Sequence, residues 1–364
     1  MKKIGILSFG RTNNYGAVLQ NYALVKTLQN MNVEVNTINY KSDFLEKPYQ
    51  KNPYEIKTNN IIKKIYYSIC KKYIQKKFLI HNSKFNAFRE KYLALSDEVN
   101  NKDDILLKSY FDIIIAGSDQ VWNDNITNND PIFSLGFETK SLKVSYAASA
   151  GNNEYIGIQT MNNIKNIDLV SVRENNLLNL LLKNEIKAVE VVDPVFLLSY
   201  KEWNMLLPKE NICKEKFIFT YSVSEKTDDV IKISKHFAKQ LNCHIKHADL
   251  STKYGIKSKT TYSSGPLEFL QYIRDAELVI ASSFHAVAFS IIFNKKFIVI
   301  PTEKTQSRIN NLLEITDMQK QSVSSYSEFL TKDIKFSKLT NKECLYQKIE
   351  KSKKFLKKTI IVEK

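Results

Sequence analysis

Ala281-Ser282-Ser283-Phe284-His285-Ala286-Val287-Ala288-Phe289-Ser290 is the stretch from which the rest of the chain can be read. An apolar run, Leu278 to Ala281, ends in two hydroxyl residues and meets His285; a second apolar run starts at Ala286. The pattern reads as a buried strand, a tight turn and a helix that begins at the histidine. Open α/β sheets bind ligands outside the carboxyl ends of their strands, and a helix start presents N–H groups suited to an anion. A titratable ring is therefore aimed at a place suited to an anion. The helix dipole favours a neutral imidazole and a bound anion favours the protonated ring. That balance suits proton transfer near neutral pH.

The same alternation extends in both directions. Upstream, strands are expected at 3–9, 33–38, 111–116, 143–147, 168–172 and 188–192, with a helix at 16–30 and a long lysine-rich helical region up to about residue 95. After Asp193-Pro194 and a lysine-rich connection to Lys216 the pattern restarts. Strands are expected at 217–223, 244–248, 278–281 and 297–301, with helices at 228–241, 266–277 and 285–293. Short apolar strands separated by helices are the mark of parallel sheets covered on both faces. The 364 residues exceed what one core usually holds. The expected architecture is α/β, with two Rossmann-like domains facing a cleft. Residues 1–198 form the N-terminal domain with a basic helical insertion at 57–95, residues 199–335 the C-terminal domain, and residues 336–364 a helical tail.

Composition narrows the function classes. No apolar run approaches the roughly 20 residues that span a bilayer, and the apolar part of the N-terminus is too short for a signal peptide. A cytoplasmic protein is expected. The four cysteines have neither disulfide nor zinc spacing. Cys243-His244-Ile245-Lys246-His247 lacks the second cysteine that a metal or haem site needs, so no metal is expected. The formal charge of +16 is not evenly spread: between Ile61 and Lys91, Lys63-Lys64, Lys71-Lys72 and Lys76-Lys77 alternate with Ile, Tyr and Phe and only Glu90 is acidic. A basic amphipathic helix of this kind suits a surface packed on the domain or an anionic lipid face. No recognised nucleic-acid motif accompanies the charge, and nucleic acid is not an expected partner.

Three more strand ends carry polar chemistry. Ser8 to Ala17 includes Asn13-Asn14-Tyr15-Gly16, which could hydrogen-bond sugar hydroxyls or a phosphate. The segment lacks the three-glycine dinucleotide fingerprint, so no redox cofactor is expected. Gly117-Ser118-Asp119-Gln120-Val121-Trp122 follows the strand at 111–116; Asp119 beside Trp122 suggests a carboxylate for hydroxyls and an indole face for a sugar ring. Val172-Arg173-Glu174 puts a guanidinium fork at a strand end, where it can take a carboxylate or phosphate, or pair with Glu174. Ser307-Arg308 adds a second guanidinium beyond the last strand.

Taken together, Asn14 to Ala17, Gly117 to Trp122, Val172 to Glu174, Asp193 to Val195 and Ser283 to His285 resemble the motifs of the polysaccharide pyruvyl transferase family, in order, over about residues 3 to 315. The resemblance implies a fold like the two-domain glycosyltransferase B type. It also implies transfer of the pyruvyl group of phosphoenolpyruvate onto two hydroxyls of a sugar in a bacterial surface or capsular polysaccharide precursor, forming a ketal and releasing phosphate. No cofactor is implied. His285 and Asp119 are the expected catalytic residues. Arg173, Ser283, Phe284 and Arg308 are expected on the phosphoenolpyruvate, and Asn14, Tyr15 and Trp122 on the acceptor. Ser283 departs from members that carry arginine there, and Arg308 or a nearby lysine is the candidate substitute. A lipid-diphosphate-linked oligosaccharide acceptor would suit the basic segment and peripheral contact with the inner face of an anionic membrane. The competing reading is a glycosyltransferase B-type enzyme using a nucleotide sugar; a non-enzymatic sugar-binding or membrane-associated scaffold is a third.

Overall fold

The computed structural model describes residues 1–50, 60–108, 110–151, 155–222, 224–248, 261, 263–334, 336 and 342–362; the side chains of residues 50, 62–63, 65–74, 106–108 and 224 lie outside that description. Eleven named strands occur among the described residues: β1 (Lys3–Leu7), β2 (Glu34–Tyr40), β3 (Leu95–Val99), β4 (Ile113–Ala116), β5 (Leu142–Ser145), β6 (Val170–Val172), β7 (Ala188–Glu190), β8 (Phe217–Tyr221), β9 (His244–His247), β10 (Leu278–Ala281) and β11 (Phe297–Val299). Every ladder between them is parallel. Strands buried on both faces need no polar alternation, which is why β4 reads Ile-Ile-Ile-Ala and β10 Leu-Val-Ile-Ala, every residue buried.

One sheet runs β3-β2-β1-β4-β5, with β6-β7 carried alongside by single bridges Val144↔Leu169 and Ala148↔Val172. The other runs β11-β10-β8-β9. In each, successive connections leave a central pair of strands in opposite directions: β1 and β4 in the first, β8 and β10 in the second. Doubly wound sheets take ligands at the carboxyl ends of such a pair. The four polar junctions of the sequence fall at the carboxyl ends of β1, β4, β6 and β10.

The chain divides into two compact units. Met1–Tyr49, Phe88–Ser199 and Lys342–Lys364 form one, and Gln50–Ala87 with Tyr200–Asn341 the other. Most of the basic segment thus groups with the second unit, and the tail groups with the first. Two contacts within the second unit explain the former. On the helix Ile61–Tyr92, His81 Nδ1 lies 2.9 Å from the Ser264 carbonyl, and Lys84 pairs with Glu268. In the first unit, the tail helix Lys342–Ile361 offers Ser352 Oγ to the backbone N–H of Val192 at 3.0 Å, and Lys348 pairs with Glu190 at 2.8 Å.

The stretch after Asp193 is not a bare connection. Asp193 caps the turn Pro194–Leu197, all four residues of which are buried against the helix Tyr15–Gln29. Trp203 is also buried, its ring crossing Phe289 at 88° with centroids 4.9 Å apart. A sequence dense in lysine concealed these apolar anchors. Among the described residues, no helix is long and apolar enough to cross a membrane.

Candidate functional site

At the carboxyl end of β10, Ser282 N–H donates to the Tyr221 carbonyl of β8 (3.1 Å) and Ile300 N–H to the Ala281 carbonyl (2.9 Å), so the turn is pinned from both neighbouring strands. Ser283 is the N-cap of the helix Phe284–Ile292, which begins one residue before the histidine. The helix is apolar all round because it is enclosed; all but its last residue are buried. That leaves its first turn as the polar end. After β11, Thr305 Oγ1 donates to the Ser282 carbonyl (3.3 Å), bringing the next helix, Gln306–Thr316, to the same edge. Arg308 on that helix places its guanidinium carbon 5.9 Å from the centre of the Phe284 ring. The Phe284 and His285 rings cross at 88°, centroids 5.2 Å apart.

The structure therefore brings Ser283, Phe284, His285 and Arg308 together, three of them 8 % exposed and Phe284 6 %. A guanidinium, an imidazole and a helix N-terminus at one strand end form a place where an anion can be held and a proton delivered. The partial burial strengthens charge interactions by excluding water.

In the first unit, Asn14 is exposed and its side chain caps the helix Tyr15–Gln29 by accepting from Ala17 N–H (3.2 Å). Tyr15 is buried at 3 % exposure, so its ring packs inside instead of meeting an acceptor. Trp122 is 1 % exposed within the apolar core. An enclosed indole has no face for a sugar ring, and the carbohydrate-platform expectation is corrected accordingly. Asp119 is half-buried with φ +97°, a backbone region that side-chain-bearing residues rarely adopt. Its Oδ1 accepts from Gln120 N–H at 2.8 Å.

Arg173 is buried and already engaged. Its Nε donates to Glu174 (3.0 Å) and its Nη1 to Asp193 (2.6 Å), with Ser118 Oγ and Gln20 Oε1 at 3.5 and 3.4 Å. Burial by itself lowers the guanidinium's pKa, but the charges of Glu174, Asp193 and Asp119 outweigh it and push the value up. Of the two readings of Val172-Arg173-Glu174, the pairing one describes the geometry. Around this cluster Ser8 Oγ, Gln20 Nε2 and Glu174 Oε2 have no hydrogen-bond partner among the described residues.

Two residues escaped the sequence reading. The Tyr49 hydroxyl hydrogen-bonds Asn14 and Thr12, and burial first, then the charge of Asp119, pushes its pKa up. Arg89 donates to Asn13 Oδ1 (3.0 Å) and the Thr12 carbonyl (3.3 Å). Burial, and then the neighbouring Arg11, push its pKa down to about 10. Arg89 did leave a signal: it is the lone arginine among the lysines of residues 61–91.

Solved structures share the architecture at low identity. A UDP-GlcNAc 2-epimerase from Methanocaldococcus jannaschii aligns with TM-score 0.54 and 12 % identity over 100 % of both chains. A protein assigned as a UDP-N-acetylglucosamine 2-epimerase from Listeria monocytogenes aligns with TM-score 0.58 and 7 % identity over 96 % of this chain and 90 % of that one. The enzyme of that name from Rickettsia bellii gives 0.53 and 12 % over 99 % and 95 %. At such identities the likeness shows the fold alone: two Rossmann-like units of glycosyltransferase B type. No curated protein matches the chain. The model of the polysaccharide pyruvyl transferase family matches residues 14–304, from the helix cap after β1 to the loop after β11. The chain belongs to the polysaccharide pyruvyl transferase family and is a transferase.

Proposed function

We propose that this transferase moves the pyruvyl group of phosphoenolpyruvate onto two hydroxyls of a sugar in a surface polysaccharide precursor, forming a cyclic ketal and releasing phosphate. The observation that carries the proposal is the grouping of Arg308, Phe284 and His285 at the carboxyl end of β10. Phosphoenolpyruvate is a small, densely charged anion, and a guanidinium beside helix-end amides matches its phosphate.

In the proposed sequence His285, as imidazolium, gives a proton to the methylene carbon, which becomes a methyl group. C2 acquires oxocarbenium character, and the first sugar hydroxyl adds there and loses its proton. The C2–O–phosphate bond then breaks, phosphate leaves with both bonding electrons, and the second hydroxyl closes the ketal as its proton passes to a base. Asp119 is proposed as a base toward the acceptor, with Asn14 and Tyr49 ordering hydroxyls beside it. Arg173 already pairs with two carboxylates through Nε and Nη1, so the proposal gives the phosphate to Arg308.

Replacing Arg308 with glutamine removes one charge-assisted contact worth about 1.5–3 kcal/mol, so KM for phosphoenolpyruvate should rise roughly 10- to 100-fold. Phosphate release across a donor titration measures it; an unchanged KM would remove Arg308 from the donor site. Stabilisation by UDP without any by phosphoenolpyruvate in thermal denaturation would favour a nucleotide-sugar glycosyltransferase instead.

The proposed acceptor is a lipid-diphosphate-linked oligosaccharide at the inner, anionic face of the membrane. Lys64 and Lys76 are exposed on the helix Ile61–Tyr92, as are Ile61 (72 %) and Leu79 (65 %); the side chains of Lys63, Lys71 and Lys72 lie outside the description. A basic residue near such a surface contributes about 1 kcal/mol, so changing Lys64 and Lys76 to alanine should weaken binding to anionic vesicles roughly 30-fold. Equal binding of wild type to neutral and anionic vesicles would contradict the membrane assignment.

A further inference from the structure

Ser149, a residue that no motif singles out, ties three strand ends of the first unit together. It is fully buried. Its N–H donates to the Asp119 carbonyl (3.0 Å) and its carbonyl accepts from Trp122 N–H (3.0 Å), bracketing the loop after β4. Its hydroxyl donates to Glu174 Oε1 (2.8 Å), just past β6, and accepts from Gly151 N–H (3.0 Å). Gly151 has φ +72°, and a Cβ there would come within 2.3 Å of Gln120 Oε1, so the segment after β5 lies tightly on the loop that carries Asp119. Glu174 Oε1 in turn accepts from Arg173 Nε at 3.0 Å. The backbone of Ser149 thus brackets a loop holding an unusual conformation, and its hydroxyl ties that backbone to a buried acid–arginine–acid cluster.

We propose that Ser149, acting through Glu174, is a positioning residue that keeps Asp119 in its left-handed conformation and so holds the Asp119 carboxylate ready for the acceptor. Asp119 at φ +97° is uncommon backbone for a residue with a side chain, and such conformations persist where surrounding bonds over-determine them. The backbone bonds of Ser149 bracket the loop, and its hydroxyl, held between Glu174 Oε1 and Gly151 N–H, fixes where that backbone lies; Ser149→Ala removes this anchor and leaves the backbone bonds. Glu174 Oε2, on the other oxygen, has no partner among the described residues. A glutamine could therefore keep its amide oxygen where Oε1 is and place its NH2 where Oε2 is, preserving the Ser149 link. The inference rests on the proposed role of Asp119 as the acceptor-side base.

The test compares Ser149→Ala, Glu174→Ala and Glu174→Gln. In phosphate-release assays with acceptor present, Ser149→Ala and Glu174→Ala should lose about 10- to 100-fold in kcat, the cost of a misplaced catalytic group. KM for phosphoenolpyruvate should stay within about twofold, because donor binding is untouched. Glu174→Gln should retain kcat within about threefold. An unchanged kcat in Ser149→Ala, or a Glu174→Gln enzyme as impaired as Glu174→Ala, would overturn the proposal. A crystal structure of Ser149→Ala gives a readout independent of the reaction. Asp119 leaving its positive φ supports the lock, and Asp119 unmoved refutes it. If wild-type protein releases no phosphate from phosphoenolpyruvate, the functional reading fails, while that structural comparison still decides the lock.

Discussion

Replacing His285 with alanine is expected to lower phosphate release from phosphoenolpyruvate by about 10²–10⁴-fold, the usual worth of a positioned general acid. The loss should fall on kcat, with donor affinity largely kept, because Arg308 and the helix-end amides remain to hold the anion. His285 is second in the helix Phe284–Ile292, and truncating it leaves the N-cap, Ser283, and the bonds that pin the turn in place. The melting temperature should accordingly move little, which separates a chemical loss from an unfolded enzyme. Single-turnover phosphate release, with donor binding measured by calorimetry, checks both halves. A variant that turns over at the wild-type rate would take the proton-transfer role away from His285.

The second large effect concerns stability. Asp193→Ala should destabilise the first unit by about 3–5 kcal/mol, because it leaves the buried Arg173 short of a carboxylate. The 2.6 Å ion pair lies in a nearly dry environment, with the side chains of Arg173 and Asp193 4 % and 1 % exposed. Asp193 Oδ1 also accepts from Val195 N–H at 3.1 Å and so starts the buried turn Pro194–Leu197. Urea unfolding measures the change. A midpoint unmoved from wild type would mean that Arg173 does not depend on Asp193 for its charge balance, and the acid–arginine–acid description would fail with it.

Much of the fold was legible where local chemistry and tertiary role coincide. The short apolar runs of β4, β8 and β10, bounded by turn residues, read as enclosed parallel strands, and they are. The helix start at Ser283-Phe284-His285 was readable because hydroxyl residues, a turn and an apolar run follow one another directly. β3 was missed: Leu95-Ser96-Asp97-Glu98-Val99 is polar in the middle and sits at the sheet edge, where water satisfies what a central strand would not. The grouping of residues 50–87 with the second unit depends on His81 and Lys84 meeting Ser264 and Glu268 far along the chain, which no local pattern encodes.

The site divides the same way. Arg308 was placed correctly beside the β10 junction because successive strand ends of a parallel sheet lie on one edge. Trp122 was misjudged because an indole just after a strand serves a core as readily as a ligand, and only burial separates the two. For Arg173 the deciding partner, Asp193, lies on the next strand's far side in sequence, so its engagement emerges only with pairing of β6 and β7. Tyr49 and Arg89 reach Asn14, Asn13 and Thr12 from distant segments, a convergence that spacing cannot reveal.

Calorimetric titration of phosphoenolpyruvate into the wild-type protein and into Arg308→Gln, with UDP as the alternative titrant, addresses the donor assignment directly. The account predicts saturable binding of phosphoenolpyruvate to wild type, at least about tenfold weaker in Arg308→Gln, and none of UDP. Saturable UDP binding with no heat from phosphoenolpyruvate would contradict it.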